Sequence, residues 1–257
     1  MRILLLGGTT EASRMARALA DARRPAIFSY AGRTEAPAAQ PIPVRIGGFG
    51  GPEGMAAYLR DHAISHVIDA THPFAARISA NAVAACRAAG TALVALERPA
   101  WAPVPGDDWT RVPDADAAAA ALPETPAAVF LAIGRQSLQP FAARDQHRYL
   151  LRLVDLPEAL PIPNAEAVIA RGPFTTEDDL ALMRAHGITH VVAKNAGGSG
   201  ARAKLDAARA LRLPVVMIDR PAIPARPVLG TVEEVTRWLA HAGVPAGSGP
   251  AGTERGE

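Results

Sequence analysis

The side chains best suited to chemistry in this 257-residue chain stand in short loops that follow apolar runs. In "LLLGGTTEAS", Gly7 and Gly8 precede Thr9, Thr10 and the start of a helical pattern, and the exposed amides of a helix N-terminus attract anions. Measured against the dinucleotide fingerprint G-x-G-x-x-G, only Gly7 and the small Ala12 survive, so on the motif alone a phosphate cradle and a simple tight turn stand level. "SYAGRT" brings Ser29 and Arg33 to the end of a second apolar run, with no acid between positions 26 and 34. An arginine there suits a cofactor with a 2′-phosphate, and an acid would suit one without it, which favours NADPH over NADH against the plainer reading of a surface arginine. "IGGFGGPEGMAAYL" is either a flexible lead into a helix with Pro52 in its first turn, or a backbone, Gly48 included, lying flat beside a planar ligand. "DATHPFAARIS" sets Thr71 and His72 in a loop, with Pro73 opening a helix; an imidazole there can donate to carboxylates or relay a proton near neutral pH.

"KNAGGSGARAK" is the densest run of small residues. Gly197 and Gly198 permit a close approach to the backbone, Ser199 or Gly200 is the expected helix start, and Lys194 adds fixed charge. The spacing and the missing terminal G-K-[ST] exclude a P-loop. Arg202 and Lys204 also read as ordinary helix-surface cations. The loop suits carboxylates or phosphates attached to something bulky, and no histidines and acids stand at metal-ligand spacing.

These loops need a scaffold that brings them to one edge. Strands are expected over 3–6, 26–30, 67–70 and 92–96, and helices over 11–23, 52–62 and 74–89. Apolar runs without alternation are buried on both faces, and their alternation with helices predicts a parallel sheet. The second half repeats the first. "HAISHVIDA" (62–70) matches "HGITHVVAK" (186–194), and "LVALERPA" (93–100) matches "VVMIDRPA" (215–222). The fold class is therefore α/β: two Rossmann-like parallel-sheet halves related by an internal repeat, with a cleft between them. The expected division is 1–125 and 126–242, with a disordered, glycine- and proline-rich tail at 243–257. Whether the closing strand–helix units at 109–122 and 226–239 stay with their own half is left open by the pattern. Ligands of such sheets lie beyond the carboxyl ends of the strands, where these loops collect. A net charge of +2 with no basic run interleaved with aromatics argues against nucleic acid. The single Cys86 excludes an internal disulfide, and the opening apolar run is too short for a signal or membrane span, which implies a cytoplasmic protein.

Taken together, "LLLGGTTEASRMARAL", "GGFGGPEGMAAYL", "DATHPFAARIS", "ERPAW", "IGRQSL" and "KNAGGSGARAKLDAAR" resemble the precorrin-6A reductase family of cobalamin biosynthesis, which also includes the cobalt-precorrin-6A reductases. Ala196 stands where that family more often has serine. The resemblance implies NADPH-dependent reduction of one double bond of a ring-contracted tetrapyrrole, precorrin-6A or its cobalt form, to precorrin-6B. It implies a small-molecule partner, no nucleic acid or membrane, and hand-over with neighbouring pathway enzymes. Under it, Gly7, Gly8, Thr9, Ser29, Arg33, Gly48 and Thr71 bind the cofactor, and His72 and Lys194 are catalytic. Phe74, Arg77, Arg98, Arg135, Asn195, Gly197, Gly198, Ser199 and Lys204 hold the carboxylate-rich substrate. The rival readings are a reductase of another carboxylate-rich substrate and a non-catalytic two-lobed carrier of a tetrapyrrole or nucleotide.

Overall fold

The computed structural model describes residues 1–32, 38–154, 159–160, 162–170 and 172–241. Arg33 and the tail at 243–257 therefore lie outside the described residues.

The first half runs β1 (Ile3–Leu6), α1 (Thr10–Asp21), β2 (Ala26–Tyr30), β3 (Val44–Ile46), α2 (Gly51–Asp61), β4 (His66–Asp69), α3 (Ala76–Ala89) and β5 (Ala92–Leu96). Then come β6 (Trp109–Val112), α4 (Ala115–Ala120), β7 (Ala128–Ala132), β8 (Arg148–Leu153), β9 (Ala165–Ile169), α5 (Thr176–Ala185), β10 (His190–Lys194), α6 (Ala203–Ala210), β11 (Val215–Ile218), β12 (Val228–Leu229) and α7 (Val232–His241). The expected strands and helices of the first half are present. β3 has no counterpart in the sequence reading, because a three-residue edge strand with Val44 and Ile46 exposed carries little apolar signal.

The strands form two six-stranded sheets in the orders β12-β5-β4-β1-β2-β3 and β6-β11-β10-β7-β8-β9, with parallel pairing throughout. Both faces of each sheet are covered, which explains the unbroken apolar runs. In β1, Ile3 and Leu5 enter a core under α1 and α7, while Leu4 and Leu6 enter a second core under α2 and α3. In β11, Val215 and Met217 face one core, and Val216 and Ile218 face the other.

Sheet membership does not follow the division at 125/126. β6 pairs with β11 of the second half, and β12 pairs with β5 of the first. The helices move with their strands. Ala118 and Ala119 of α4 join the second lobe's core, and Val235 and Leu239 of α7 join the first lobe's. Each half thus donates its closing strand and helix to the other. The chain crosses between lobes twice, through 97–108 and 219–227, and the repeated "ERPA" and "DRPA" segments open those crossings. Glu97 ties the crossings together, accepting from Arg220 Nη1 at 2.8 Å and from Arg226 Nη2 at 2.7 Å. No described helix is long and apolar enough to cross a membrane.

Candidate active site

A cleft of about 1210 Å³ opens at the carboxyl ends of both sheets. The first lobe contributes Gly7–Thr10 after β1, Ser29–Gly32 at the end of β2, Gly47–Gly51 after β3 and Thr71–His72 after β4. The second lobe contributes Gln136, Val154, Ala170, Gly172, Phe174 and Pro221. Phe74 bridges the two: it lines the cleft from the first lobe's loop and packs on a core of the second lobe.

The first-lobe wall is rigidly built. Thr9 is the N-cap of α1, accepting from Ala12 N at 3.1 Å and donating to the Ala70 carbonyl at 2.8 Å, so its side chain pins the start of α1 to the end of β4. Gly7 has no space for a side chain, because a Cβ there would land in the Phe28 ring. At Gly8, Gly48 and Gly50 the reverse holds, and a Cβ would meet no atom within 4 Å. These positions open onto the cleft, a bare backbone surface that a ligand can approach. Buried Asp69 holds the next loop. Its Oδ1 accepts from Thr71 N at 3.2 Å and from Thr71 Oγ1 at 2.7 Å. The sequence reading gave Asp69 no role, although it opens the "DATHPFA" motif.

His72 stands half-buried on the cleft wall with Nδ1 accepting from Phe74 N at 3.2 Å. This leaves the proton on Nε2 in the neutral ring. Burial first, then the positive charges of Arg98, Lys194, Arg220 and Lys204, push its pKa down to about 4. The imidazole is therefore neutral at physiological pH, and the expected near-neutral proton relay gives way to an uncharged N–H donor. Lys194 does not line the cleft; its Nζ lies 5.2 Å from the centre of the Phe74 ring, and burial lowers its pKa.

The "KNAGGSG" loop is placed differently from expectation. Asn195, 4% exposed, accepts from Trp101 N at 2.7 Å through Oδ1 and donates to the Trp101 carbonyl at 2.9 Å through Nδ2. Trp101 Nε1 donates to the Gly198 carbonyl at 2.7 Å. Arg98 donates from Nε to the Ala196 carbonyl at 2.7 Å and pairs through Nη1 with Glu11 at 2.5 Å. A Cβ on Gly197 would overlap the Pro99 carbonyl, and one on Gly198 would lie 2.5 Å from Arg98 Cδ. The space these glycines leave is filled by the crossing segments of the same chain, Arg98 and Pro99 of one and Arg220 of the other. Arg98, Asn195, Gly197 and Gly198 form a joint between the lobes and do not line the cleft. Ser199 is exposed off the cleft, and α6 starts at Ala203, later than expected. Lys204 is buried against the Trp101 ring and donates to the Ala201 carbonyl at 2.5 Å, with burial as the main cause that lowers its pKa to about 7. Arg135 is exposed on the turn whose neighbour Gln136 reaches the cleft, and Arg77 is exposed on the cleft's rim. Gly7, Gly8, Thr9, Ser29, Gly48, Thr71, His72, Phe74 and Arg77 are brought together.

Two doubly wound parallel sheets facing one glycine-floored cleft define a two-lobed α/β ligand-binding protein. Comparison with known proteins narrows the class: the chain belongs to the precorrin-6x reductase family, CbiJ/CobK, which it matches over residues 2–240. It is 64% identical over 248 residues to the precorrin-6A reductase of Rhodobacter capsulatus, covering 96% of this chain and 99% of that one. It is 47% identical over 247 residues to the precorrin-6A reductase of a Sinorhizobium species, covering 95% of each. The solved structure of CobK precorrin-6A reductase superposes with a TM-score of 0.92 at 64% identity, covering 95% of this chain and 97% of that one. The chain is accordingly an oxidoreductase of cobalamin biosynthesis, and a carrier without catalysis is set aside.

Proposed function

We propose that this chain reduces one double bond of precorrin-6A with NADPH, giving precorrin-6B. The observation that carries the reading is the division of the cleft. Its first-lobe end is bare backbone after β1 and β3, where side chains at Gly8 and Gly48 would fill the space. Its other end is walled by Phe74, Ile78, Val154, Ala170 and Phe174. The first end suits a dinucleotide lying against amides, and the second suits the face of a flat macrocycle. The metal-free substrate follows the names of the relatives at 64% and 47% identity.

In this reading Gly7, Gly8, Thr9, Ser29, Gly48 and Thr71 hold the cofactor, and Arg33 meets the 2′-phosphate. When bound, the cofactor supplies the hydride. The protein's own contribution is alignment at near-contact distance. The Asp69–Thr71 contacts fix the loop between the two ends of the cleft, and the Phe74 amide orients His72 so that Nε2–H faces the ligand as a neutral donor. Arg77 and Arg135, both exposed, meet acetate and propionate groups at the rim. The first lobe serves the cofactor, and the second closes over the macrocycle. Passage of the product to a neighbouring pathway enzyme belongs to the same reading.

The test is to mix purified protein with NADPH and precorrin-6A and follow the nicotinamide and tetrapyrrole absorbance bands together. Coupled loss of both supports the reading. Tetrapyrrole binding without NADPH oxidation overturns it for the metal-free substrate, and the cobalt form is then the alternative acceptor.

A further inference from the structure

Arg45, on the edge strand β3, carries no role in the sequence reading. Its Nη1 donates to Ser29 Oγ at 2.8 Å and to the Gly47 carbonyl at 2.9 Å, and its Nη2 donates to the Gly48 carbonyl at 3.0 Å. The guanidinium carbon lies 3.8 Å from the centre of the Phe49 ring and 5.1 Å from that of Tyr58. These contacts fix its plane. Burial lowers its pKa, yet a guanidinium keeps its proton at any physiological pH. Among the described residues it forms no ion pair.

Ser29 is 5% exposed, and what it exposes faces the cleft. A hydroxyl has one hydrogen and two lone pairs. Arg45 takes a lone pair, and among the described residues no acceptor takes the hydrogen. A hydroxyl that accepts from a cation becomes a better donor, because the charge polarises its O–H bond. The end of β2 therefore presents a buried, polarised donor backed by a guanidinium, and among the described residues no carboxylate pairs with that guanidinium or bonds the hydroxyl.

We propose that Ser29 and Arg45 form a relay that reads the phosphate on the adenosine ribose of the cofactor, with Ser29 donating to the phosphate and Arg45 acting as a positioning residue through Ser29, Gly47 and Gly48. This rests on the NADPH reading above. The relay makes the preference for the phosphorylated cofactor a property of the folded strand pair β2–β3, in addition to any contribution from Arg33.

The test is a set of binding titrations on the full chain with NADPH, NADH, 2′,5′-ADP and 5′-AMP, which need no turnover. The wild type is expected to bind NADPH and 2′,5′-ADP more tightly than NADH and 5′-AMP. Ser29→Ala leaves Arg45 holding the Gly47–Gly48 turn, and it is expected to weaken the phosphorylated pair roughly tenfold with the other pair unchanged. Arg45→Met is expected to narrow the preference further, and Arg45→Lys to restore part of it. The inference is overturned if the wild type shows the preference and Ser29→Ala and Arg45→Met keep it, or if each variant weakens both pairs equally. A wild type without the preference overturns the NADPH reading itself, and the relay with it.

Discussion

The glycine-rich stretch at 47–51 and the one at 194–200 have similar compositions and follow strands of opposite lobes, yet they face different surroundings. Gly48 and Gly50 look onto the cleft, where a Cβ would meet nothing. Gly197 and Gly198 look onto the Pro99 carbonyl and the Arg98 side chain, and the carbonyl groups around them accept from Arg98, Trp101 and Arg220. The comparison teaches that a glycine cluster reports a close approach to the backbone and is silent on what approaches. In one case the space is left for a ligand; in the other the same chain fills it where it crosses between lobes. The cations that flank 194–200 follow the same logic. Arg98 and Arg220 are spent on carbonyls and on Glu11 and Glu97.

Four measurements break or sharpen this contrast. The largest effect is expected for Gly197→Ala, which sets a methyl into the Pro99 carbonyl at a φ of +70°. Overpacking and left-handed strain together cost about 3 kcal/mol, read as a lower urea midpoint. An unchanged midpoint would mean that the joint is looser than it stands here. Next comes Asn195→Ala, which strands the Trp101 N–H and carbonyl in a buried site and is expected to cost about 2 kcal/mol in the same assay.

The third test uses pH at the joint. Burial holds Lys204 at about 7 against its ordinary 10.5, so between those values the unfolded chain binds a proton that the folded chain has released. Its contribution to stability therefore rises with pH across that window, by about 1 kcal/mol from pH 7 to pH 8. Lys204→Met should flatten that slope, and a slope that survives the substitution would assign it to other groups. The smallest stability effect is expected at the cleft. Gly48→Ala should change the midpoint by less than about 0.5 kcal/mol, because its methyl meets no protein atom, while NADPH binding weakens in a titration. A destabilised Gly48→Ala together with a neutral Gly197→Ala would invert the contrast.

The legible part of the fold was its periodicity. Runs such as "ILLL" and "VVMI", interrupted by helical patterns, can be buried on two faces only in a parallel sheet, and the matched segments around "ERPA" and "DRPA" revealed the two halves. The edge strand β3 and the role of Arg45 were not legible, since a three-residue strand with two exposed apolar side chains around one arginine carries no periodic signal. At the site, Gly7, Gly8, Thr9, Ser29, Gly48, Thr71, His72 and Phe74 were placed on the right edge because that edge follows from strand direction alone. The placement of the "KNAGGSG" loop at the joint instead of the cleft was not legible: composition records the need for close approach without recording the partner.

What the sequence determined by itself was the set of local preferences: strand against helix, both faces of each sheet buried, two repeating halves, and a ligand edge at the strands' carboxyl ends. These depend on neighbours a few residues apart. The tertiary structure alone decided that β6 and β12 exchange lobes, that Arg98 and Asn195 serve the joint, and that His72 is held neutral. Those outcomes depend on contacts between residues about a hundred positions apart, such as Trp101 with Asn195 and Arg98 with Ala196. A free strand edge pairs with whichever closing strand reaches it, and a side chain's charge state follows its final surroundings.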